Sequence, residues 1–434
     1  MSVKISEILG LNARNYLYTS KYNTARGKRI ADNKLLTKSA LKKFVLATPR
    51  LYKVIKSEKD LKSFDFSKIG ESFVIKPNRG LGGKGIIVVE KPGRNSNTWI
   101  TAERTRISLD DLQLHIMDIL EGRFSMNDAP DIAYVEERIR IHPVFSDFAY
   151  RGTPDIGVLV FNRIPVMAFL RLPTKESGGR ANLFQGAVAC GIDLATGTTT
   201  HAIQGTHYIT YFPGTKKHLN SIVIPEWDKV MKLAIEASDA VGLGFMRVDI
   251  VLQPSVKTPG KTLPKILELN AQPGLKIQLC NRAGLRRRLE RVEDLDVESP
   301  EKGIRIAKEL FGNKGISSLT NGRKNIGVFE TVQVFDSENK PHEIKAKVDT
   351  GAFRTSIDIA LARKLGLLTP ENILMTKNYE SALGETSRDV IGISFILGGK
   401  KIDTSASVAD RSGLKRQMLV GRRDLKSFVI GFEE

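Results

Sequence analysis

Residues 73–90, FVIKPNRGLGGKGIIVVE, join two kinds of sequence that seldom occur together. The β-branched, apolar runs at both ends have the composition of buried strands. Lys76 ends the first run, and four glycines and Lys84 fill the gap before the second. Glycine N–H groups can approach phosphate oxygens closely because no Cβ intervenes, and lysines can neutralise those oxygens. The stretch predicts a strand–loop–strand hairpin, and leaves open whether the loop binds phosphate or is a plain turn.

The chain of 434 residues is too long for one ordinary core, so we expect several domains. No stretch reaches the ~20 apolar residues that span a bilayer, and the N-terminus lacks the apolar segment of a secretion signal. The two cysteines, Cys190 and Cys280, are expected as buried thiols in a reducing cytoplasm. We therefore expect a cytoplasmic protein without membrane contact.

The formal net charge of +19 favours polyanionic partners. Two basic patches are densest, and neither is interleaved with aromatic residues as a single-strand nucleic-acid platform would be. Nucleotide phosphates, an acidic protein and a nucleic-acid-associated partner all fit this charge, while most basic residues are expected to form solvated surface. The patches are Arg26-Gly27-Lys28-Arg29 with Lys34, Lys38, Lys42 and Lys43, and Arg286-Arg287-Arg288.

The apolar spacing along the chain predicts an α+β body followed by a smaller, mostly-β domain. Residues 311–325 are polar and glycine-rich, which is typical of a linker. We assign 1–315 to the body, 316–325 to the linker and 326–434 to the small domain. Helices are predicted at 28–45, 108–121 and 225–241, and strands of the body at 132–137, 155–161, 164–171, 247–252 and 264–269.

Three oxygen donors lie within two late apolar strands of the body. Asp249 belongs to FMRVDIVLQ, and Glu268 and Asn270 lie two residues apart in ILELNAQPG, on one face of their strand. A carboxylate facing water is the ordinary alternative, but an unpaired carboxylate within an apolar run is costly. If the two strands pair, the three donors converge in a set that suits Mg²⁺ bound to nucleotide phosphates.

The order of these segments resembles the ATP-grasp superfamily, and specifically its RimK-like α-L-glutamate ligases. The resemblance extends from about Leu9 to Leu289. It implies an ATP-grasp fold that binds ATP with Mg²⁺ or Mn²⁺. The motifs that carry it are DNKLLTK, FVIKP, the glycine loop, VEERI, RANLFQGA, RVDIV and LELNAQPGL.

The resemblance implies a role for each matching residue. Two lysines and the glycine loop would contact the ATP phosphates, and VEERI would be the hinge that holds adenine. The implied nucleotide-binding residues are Lys34, Lys76, Gly80, Gly82, Gly83, Lys84, Gly85, Glu137, Arg138, Asp155, Arg180 and Asn182. Asp249, Glu268 and Asn270 are the implied metal ligands, and Arg171 and Arg180 would hold phosphate or carboxylate during catalysis.

The implied reaction is amide formation. A carboxylate attacks the γ-phosphorus of ATP, giving an acylphosphate and ADP, and an amine then displaces phosphate. The partners would be an amino acid such as glutamate and an amine-bearing peptide, protein or small molecule. Gly157 stands where the RimK-like pattern has arginine, and Phe184 where it has histidine. Both departures lie where substrate or transferred phosphate is held, so glutamate is not assumed.

Residues 345–357, KAKVDTGAFRTSI, place a D-T-G-A turn after an apolar strand. Retropepsin-like aspartic proteases present their catalytic carboxylate in this way, although the tripeptide is also common in plain turns. Together with Met418-Leu419-Val420-Gly421-Arg422, the stretch from about Asn325 to Phe432 resembles the retropepsin-like domains known as ATP-dependent zinc proteases. The resemblance implies Asp349 as a catalytic residue.

The composition of this domain limits its chemistry. It has one histidine, His342, and no cysteine, so the usual zinc ligands are missing. Aspartic catalysis needs two carboxylates that share a proton, so Asp349 would need a second copy in a homodimer. The alternative is a domain for dimerisation or docking. For the whole chain, the alternatives to a ligase are an ATP-regulated aspartic peptidase and a non-enzymatic, nucleotide-responsive scaffold.

Overall fold

The computed structural model of the chain describes residues 4–80, 82–95, 97–220, 222–255, 258, 261–312, 324–381 and 384–430. They form two compact units. The first contains the residues up to Ile192 together with Gly197–Glu293, and the second contains Asp193–Thr196 and the residues from Asp294 onward. In the described part of the chain, every helix is too short or too polar to cross a membrane.

The first sheet of the first unit has six antiparallel strands, which are β1 (Leu51–Ile55), β2 (Phe73–Pro77), β3 (Ile87–Pro92), β4 (Thr98–Thr101), β5 (Arg106–Ser108) and β6 (Ala133–Glu137). Their order is β1-β6-β2-β3-β4-β5. β2 and β3 are the arms of the predicted hairpin, with Phe73 opposite Val89. Phe73 and Ile75 lie on one face of β2 and are fully buried in a core that includes Trp99.

The second sheet has seven antiparallel strands, which are β7 (Asp155–Phe161), β8 (Ile164–Leu172), β9 (Val188–Ile192), β10 (Thr199–Gln204), β11 (His207–Ile209), β12 (Phe245–Pro254) and β13 (Thr262–Asn270). Their order is β11-β10-β9-β8-β7-β12-β13. The central strands β7 and β8 are buried along almost their whole length. Both faces are therefore covered, which explains their continuous apolar sequence.

Helices of the first unit are α1 (Leu11–Ala13), α2 (Ser20–Tyr22), α3 (Ala25–Ala31), α4 (Lys34–Lys43), α5 (Glu58–Lys62), α6 (Leu109–Leu120), α7 (Trp227–Val241), α8 (Ile277–Asn281) and α9 (Leu285–Glu290). The three helices predicted from sequence are confirmed as α4, α6 and α7, and their caps explain their bounds. Asn33 accepts a hydrogen bond from the Leu36 N–H at 2.9 Å and starts α4. Gly242, at φ +69°, ends α7.

The second unit is mostly β, as expected. Its strands are β14 (Lys324–Ile326), β15 (Phe329–Phe335), β16 (Pro341–Asp349), β17 (Thr355–Asp358), β18 (Ile373–Ser381), β19 (Gly384–Leu397), β20 (Lys400–Ala409), β21 (Met418–Gly421) and β22 (Phe428–Ile430), and its helices are α10 (Pro300–Phe311) and α11 (Ile359–Lys364). Seven strands follow the order β15-β16-β21-β17-β20-β19-β18. A further pairing of β15 with β19 closes this sheet on itself around an apolar core.

The boundary between the units lies earlier than the expected residue 315. Helix α10 belongs to the second unit, because its Glu309 pairs with Arg354 at 2.6 Å and also with Arg423. All three side chains are less than 10% exposed, so this buried ion-pair cluster ties α10 to the small domain. Residues 316–323 of the expected linker lie outside the described residues. The last two residues of the expected linker, Lys324 and Asn325, belong to β14.

Candidate active site

A cavity of about 480 Å³ lies within the first unit. Its walls come from both antiparallel sheets, including Lys76 of β2 and Glu268 of β13. Most residues that the sequence nominated for the site line it. These are Lys34, Lys76, Gly80, Gly82, Gly83, Lys84, Glu137, Arg138, Asp155, Arg171, Arg180, Asn182 and Glu268. The long-range folding of the chain thus brings together residues from distant segments.

The glycine hairpin forms one wall because side chains are excluded from it. A Cβ at Gly80 would lie 2.3 Å from Pro77 Cγ, and Gly82 and Gly83 have φ of +62° and +79°. Gly85 contributes in another way: its carbonyl contacts the His115 imidazole Nε2 at 2.9 Å, and the hairpin is thereby tied to α6. The loop presents backbone to the cavity at Gly80, Gly82 and Gly83.

The two lysines expected at the phosphates have different surroundings. Lys76 forms an ion pair of 2.6 Å with Glu136, and Glu136 also pairs with Lys38 at 2.7 Å. Lys34 donates to the Gly80 carbonyl at 3.3 Å and has no ion pair with the described residues. Burial lowers the pKa of Lys34. Lys34 is therefore available to pair with an anionic ligand. A phosphate that bound Lys76, in contrast, would share this lysine with Glu136.

The expected adenine hinge follows β6. Its Glu137 carboxylate is occupied by other protein groups, accepting from Lys265 Nζ at 2.6 Å, Gln253 Nε2 at 3.0 Å and the Arg50 N–H at 2.9 Å. Arg138 pairs with Glu90. Both side chains fix the course of the chain at this edge of the cavity, so the hinge offers mainly backbone groups to a nucleotide.

The structure brings the three candidate metal ligands close together. Asp249 and Glu268 are register partners on β12 and β13, and Asn270 Nδ2 lies 3.1 Å from Asp249 Oδ2. Burial and the adjacent Asp249 carboxylate raise the pKa of Glu268. These are ligand types that suit a divalent cation, but both Asp249 oxygens already accept hydrogen bonds from arginines, so a cation would have to share or replace those contacts.

Within the described ranges, no three His, Cys, Asp or Glu side chains group into a metal site. The candidate set is therefore two carboxylates plus the amide oxygen of Asn270. A cation held here would need oxygen ligands from outside the chain, which nucleotide phosphates can provide.

Two arginines surround Asp249. Arg171 donates to Asp155 at 2.6 and 2.9 Å and to Asp249 at 2.8 Å, and Arg247 donates to both Asp249 oxygens at 2.6 and 2.8 Å. Burial raises the pKa of Asp155 to about 7, against the effect of Arg171. Asp155 thus positions the Arg171 guanidinium. Both oxygens of the Asp155 carboxylate accept hydrogen bonds from Arg171, so they are already occupied within the protein.

Arg247 is one of the site residues that sequence reasoning missed. It lines the cavity, and its guanidinium and that of Arg171 each lie 5.7 Å from the ring centre of Phe169. A signal was present in RVDIV, because residues two apart on a strand share a face, and Arg247 therefore faces the same way as Asp249.

The RANLFQ segment faces the glycine hairpin. A Cβ at Gly83 would lie 3.3 Å from Arg180 Cδ, and one at Gly82 would lie 3.6 Å from Asn182 Nδ2. Arg180 is exposed and forms no ion pair with the described part of the chain. The segment that carries Arg180 and Asn182 therefore lies next to the glycine loop.

The basic patches are partly used within the fold. Arg287 pairs with Glu7 at 2.5 Å, Arg286 pairs with Glu290 at 2.8 Å, and Arg288 donates to the Val166 carbonyl at 2.7 Å. In the other patch, Lys34 lines the cavity and Lys38 pairs with Glu136. These contacts reduce the free charge available to an external polyanion.

In the second unit, Asp349 ends β16 beside Gly421 of the parallel strand β21. Asp349 Oδ1 accepts from the Gly351 N–H at 2.9 Å and from the Ala352 N–H at 3.2 Å. The D-T-G-A segment is thus a tight turn closed by its own aspartate. Cys190 and Cys280, in the first unit, are free and buried, as expected of structural thiols.

Comparisons with known proteins identify the family to which the first unit is related. The model of the sugar-transfer associated ATP-grasp family matches residues 13–294. No curated protein matches the chain significantly. Among solved structures, the ATP-grasp ligase PsnB with its minimal precursor is 16% identical, with a TM-score of 0.33 and 63% of each chain covered. The chain thus spans less than two thirds of the PsnB chain it matches.

Two further solved structures cover different parts of the chain. D-alanine–D-alanine ligase from Bacillus anthracis, complexed with ATP, is 15% identical, with a TM-score of 0.35, and the match covers 65% of this chain and 69% of that one. The Simian Foamy Virus protease is 18% identical, with a TM-score of 0.17, and covers 22% of this chain and 90% of that one. Because the family model accounts for residues 13–294, the chain belongs to the sugar-transfer associated ATP-grasp family and has the ATP-grasp fold.

Proposed function

We propose that the first unit is an ADP-forming carboxylate–amine ligase that uses Mg-ATP and forms an amide through an acylphosphate, as RimK-like ligases do. One observation carries the proposal. The glycine hairpin with Lys34 and Lys76, and the Asp249–Glu268–Asn270 set, line or adjoin the same cavity. Phosphate-binding and metal-binding groups that meet in one cavity are what phosphoryl transfer from ATP requires.

The phosphate end of the cavity is the hairpin wall. Lys34 forms no direct ion pair with the described residues, although Glu268, Asp131 and Glu136 lie near enough to act on its charge, so its ammonium group is available to a phosphate of ATP. Lys76 would be shared between Glu136 and phosphate. A divalent cation held by Asp249, Glu268 and Asn270 would neutralise phosphate charge while the phosphoryl group moves to the substrate carboxylate.

The arginine pair supports the second half of the reaction. Arg171 and Arg247 lie on either side of the Asp249 carboxylate and flank Phe169. Their guanidinium groups can stabilise negative charge on the transferred phosphoryl group and on the carbonyl oxygen that the amine attacks. The amine must lose one proton as the C–N bond forms and the C–O bond to phosphate breaks.

The experiment that tests the proposal is ADP release with Mg-ATP and a panel of single amino acids, each with and without hydroxylamine as a small amine acceptor. Stimulation by one or two amino acids supports the ligase and names the carboxylate. Lys34→Ala should abolish the stimulation, whereas Lys42→Ala, at an exposed position of the same helix, should not. Tight ATP binding without turnover on any carboxylate would instead favour the nucleotide-responsive scaffold.

A second activity is proposed for the second unit, as an aspartic peptidase formed by two copies of the chain. It is supported by the position of Asp349 at a strand end in a closed turn beside β21. Because each copy brings one such aspartate, the dimer supplies the pair of carboxylates. Cleavage of a random peptide library, followed by mass spectrometry, should be lost in Asp349→Asn. No cleavage by a chain that sedimentation shows to be dimeric would leave this unit a docking or dimerisation domain.

A further inference from the structure

Phe184 is an aromatic residue in an unusual position. It lines the active-site cavity and is 86% exposed. Its backbone is held firmly, because Asn182 Oδ1 accepts the Phe184 N–H at 2.9 Å and starts a short 3-10 turn, Leu183–Gln185. The same Asn182 faces Gly82 of the hairpin. These contacts place the Phe184 backbone beside the glycine hairpin, with its side chain at the cavity.

Lys276 lies over this ring. Its Nζ is 4.2 Å from the ring centre of Phe184, and Lys276 also lines the cavity. Lys276 comes six residues after the candidate metal ligand Asn270, just before α8. A cation–π contact at an exposed site is weak, so a ligand can readily replace it.

Other cations line the cavity as well. Arg151 and Arg180 are exposed, and neither they nor Lys276 forms an ion pair with the described part of the chain. Glu103 is an exposed carboxylate that also lines the cavity, and it too has no ion pair there. An anion entering the cavity therefore meets cations that no protein carboxylate already holds.

We infer that Phe184 and Lys276 form a recognition subsite for the carboxylate substrate, which carries a flat apolar face in addition to its carboxylate. The flat face stacks on Phe184, and Lys276 and Arg180 hold the anion. This inference rests on the proposed ligase function. Two sources share this chemistry: an aromatic amino acid, and a uronic acid whose sugar ring has an apolar face.

The binding test uses the full chain with Mg²⁺ and the non-hydrolysable nucleotide AMPPNP. Saturation-transfer NMR with phenylalanine, glucuronate and leucine as separate probes should show transfer to phenylalanine or to glucuronate, and weaker transfer to leucine. The probe that responds identifies the source. Phenylalaninamide, which has the ring without the carboxylate, should bind more weakly than phenylalanine if the amino acid is the substrate.

The variants separate stacking from charge. Covering an aromatic side chain is worth about 1.5–3 kcal/mol, so Phe184→Ala should raise the KM for the responding carboxylate by about 10- to 100-fold, with the KM for ATP changed less than twofold. Phe184→Tyr should keep the KM near that of the parent. Phe44→Ala is the matched control, since Phe44 is 58% exposed on the same unit and does not line the cavity. Lys276→Met should remove the preference for the carboxylate over the amide.

Three results would overturn the subsite. They are a KM within twofold of the parent for Phe184→Ala, leucine binding as well as phenylalanine and glucuronate, and an unchanged acid-over-amide preference in Lys276→Met. Failure of the chain to bind Mg-AMPPNP would instead refute the proposed ligase. The three probes measured without nucleotide would then still decide whether Phe184 and Lys276 bind a flat carboxylate.

Discussion

Arg247 lies against Gly157 on the neighbouring strand, where a Cβ at position 157 would come within 3.1 Å of Arg247 Cδ and 2.2 Å of the Phe169 ring. No side chain fits at 157 without displacing one of these groups. The arginine missing from the RimK-like pattern therefore does not leave the site poor in positive charge. A guanidinium beside Asp249 comes instead from β12, next to β7 in the sheet.

Gly157→Ala should accordingly destabilise the protein. The added methyl group would overpack a fully buried strand, which costs about 1–3 kcal/mol. The free energy of unfolding in urea measures this effect. Gly10→Ala is the control, since a Cβ there would meet no atom within 4 Å, and its change should stay within about 0.5 kcal/mol. An unchanged unfolding midpoint for Gly157→Ala would contradict the close packing of Phe169 and Arg247.

Lys34→Met should have opposite effects on stability and on binding. Removing a half-buried charge that has no ion-pair partner among the described residues should leave the melting temperature of the nucleotide-free protein equal or higher. Loss of a charge-assisted phosphate contact should weaken ATP binding by about tenfold or more. Differential scanning fluorimetry and isothermal titration calorimetry measure the two quantities, with Lys42→Met as control. A lower melting temperature combined with unchanged ATP affinity would refute the role of Lys34.

Glu136→Gln should make stability less dependent on pH. Burial opposes ionisation of Glu136, but Lys76 and Lys38 bring its pKa below the ordinary value. A carboxyl whose pKa is lowered by folding contributes stability above the unfolded pKa of about 4.3, and loses it as pH falls through the folded value. At pH 7 the variant should be less stable by about 3–5 kcal/mol, because two buried lysines lose their partner. Urea unfolding should show this difference shrinking at acid pH; a constant difference would argue against the ion pairs.

Glu268→Gln should weaken binding of a divalent cation while the fold persists. The substitution keeps the shape of a buried side chain and removes one of two neighbouring carboxylates. Electron paramagnetic resonance of Mn²⁺, titrated in the presence of AMPPNP, should show at least about a tenfold loss of Mn²⁺ affinity. Mutating residues that only hydrogen-bond to metal ligands already lowers metal affinity by about 10–100-fold, and loss of a ligand should cost at least as much. Glu121→Gln, at the exposed end of α6, provides the matched control. Equal Mn²⁺ affinity in both variants would exclude Glu268 as a ligand.

Those elements of the first unit that the sequence predicted, such as α4, α6 and the hairpin, were predictable because their signals are local. Asn33 and Ser108 cap α4 and α6 by hydrogen bonds within three residues, and the first hairpin arm is a short apolar run that is buried along most of its length. The strand pairing that brings Glu268 opposite Asp249 was also foreseeable, since both lie in apolar strands joined by a short connection. In the second unit, β17, β18 and α11 carry weak local signals, because their apolar runs are short or interrupted by polar residues.

By itself, the sequence determined which residue types surround the cavity and on which face of each strand they lie, because the period of a strand is local. The tertiary structure decided how those charges pair. It put Glu136 between Lys38 and Lys76, turned Glu137 toward Lys265, and left Lys34 and Lys276 without carboxylate partners in the described part of the chain. It also packed Arg247 against Gly157, and it made α10 part of the second unit. Ion pairs form between segments distant in the chain, so their partners depend on packing that no local pattern encodes.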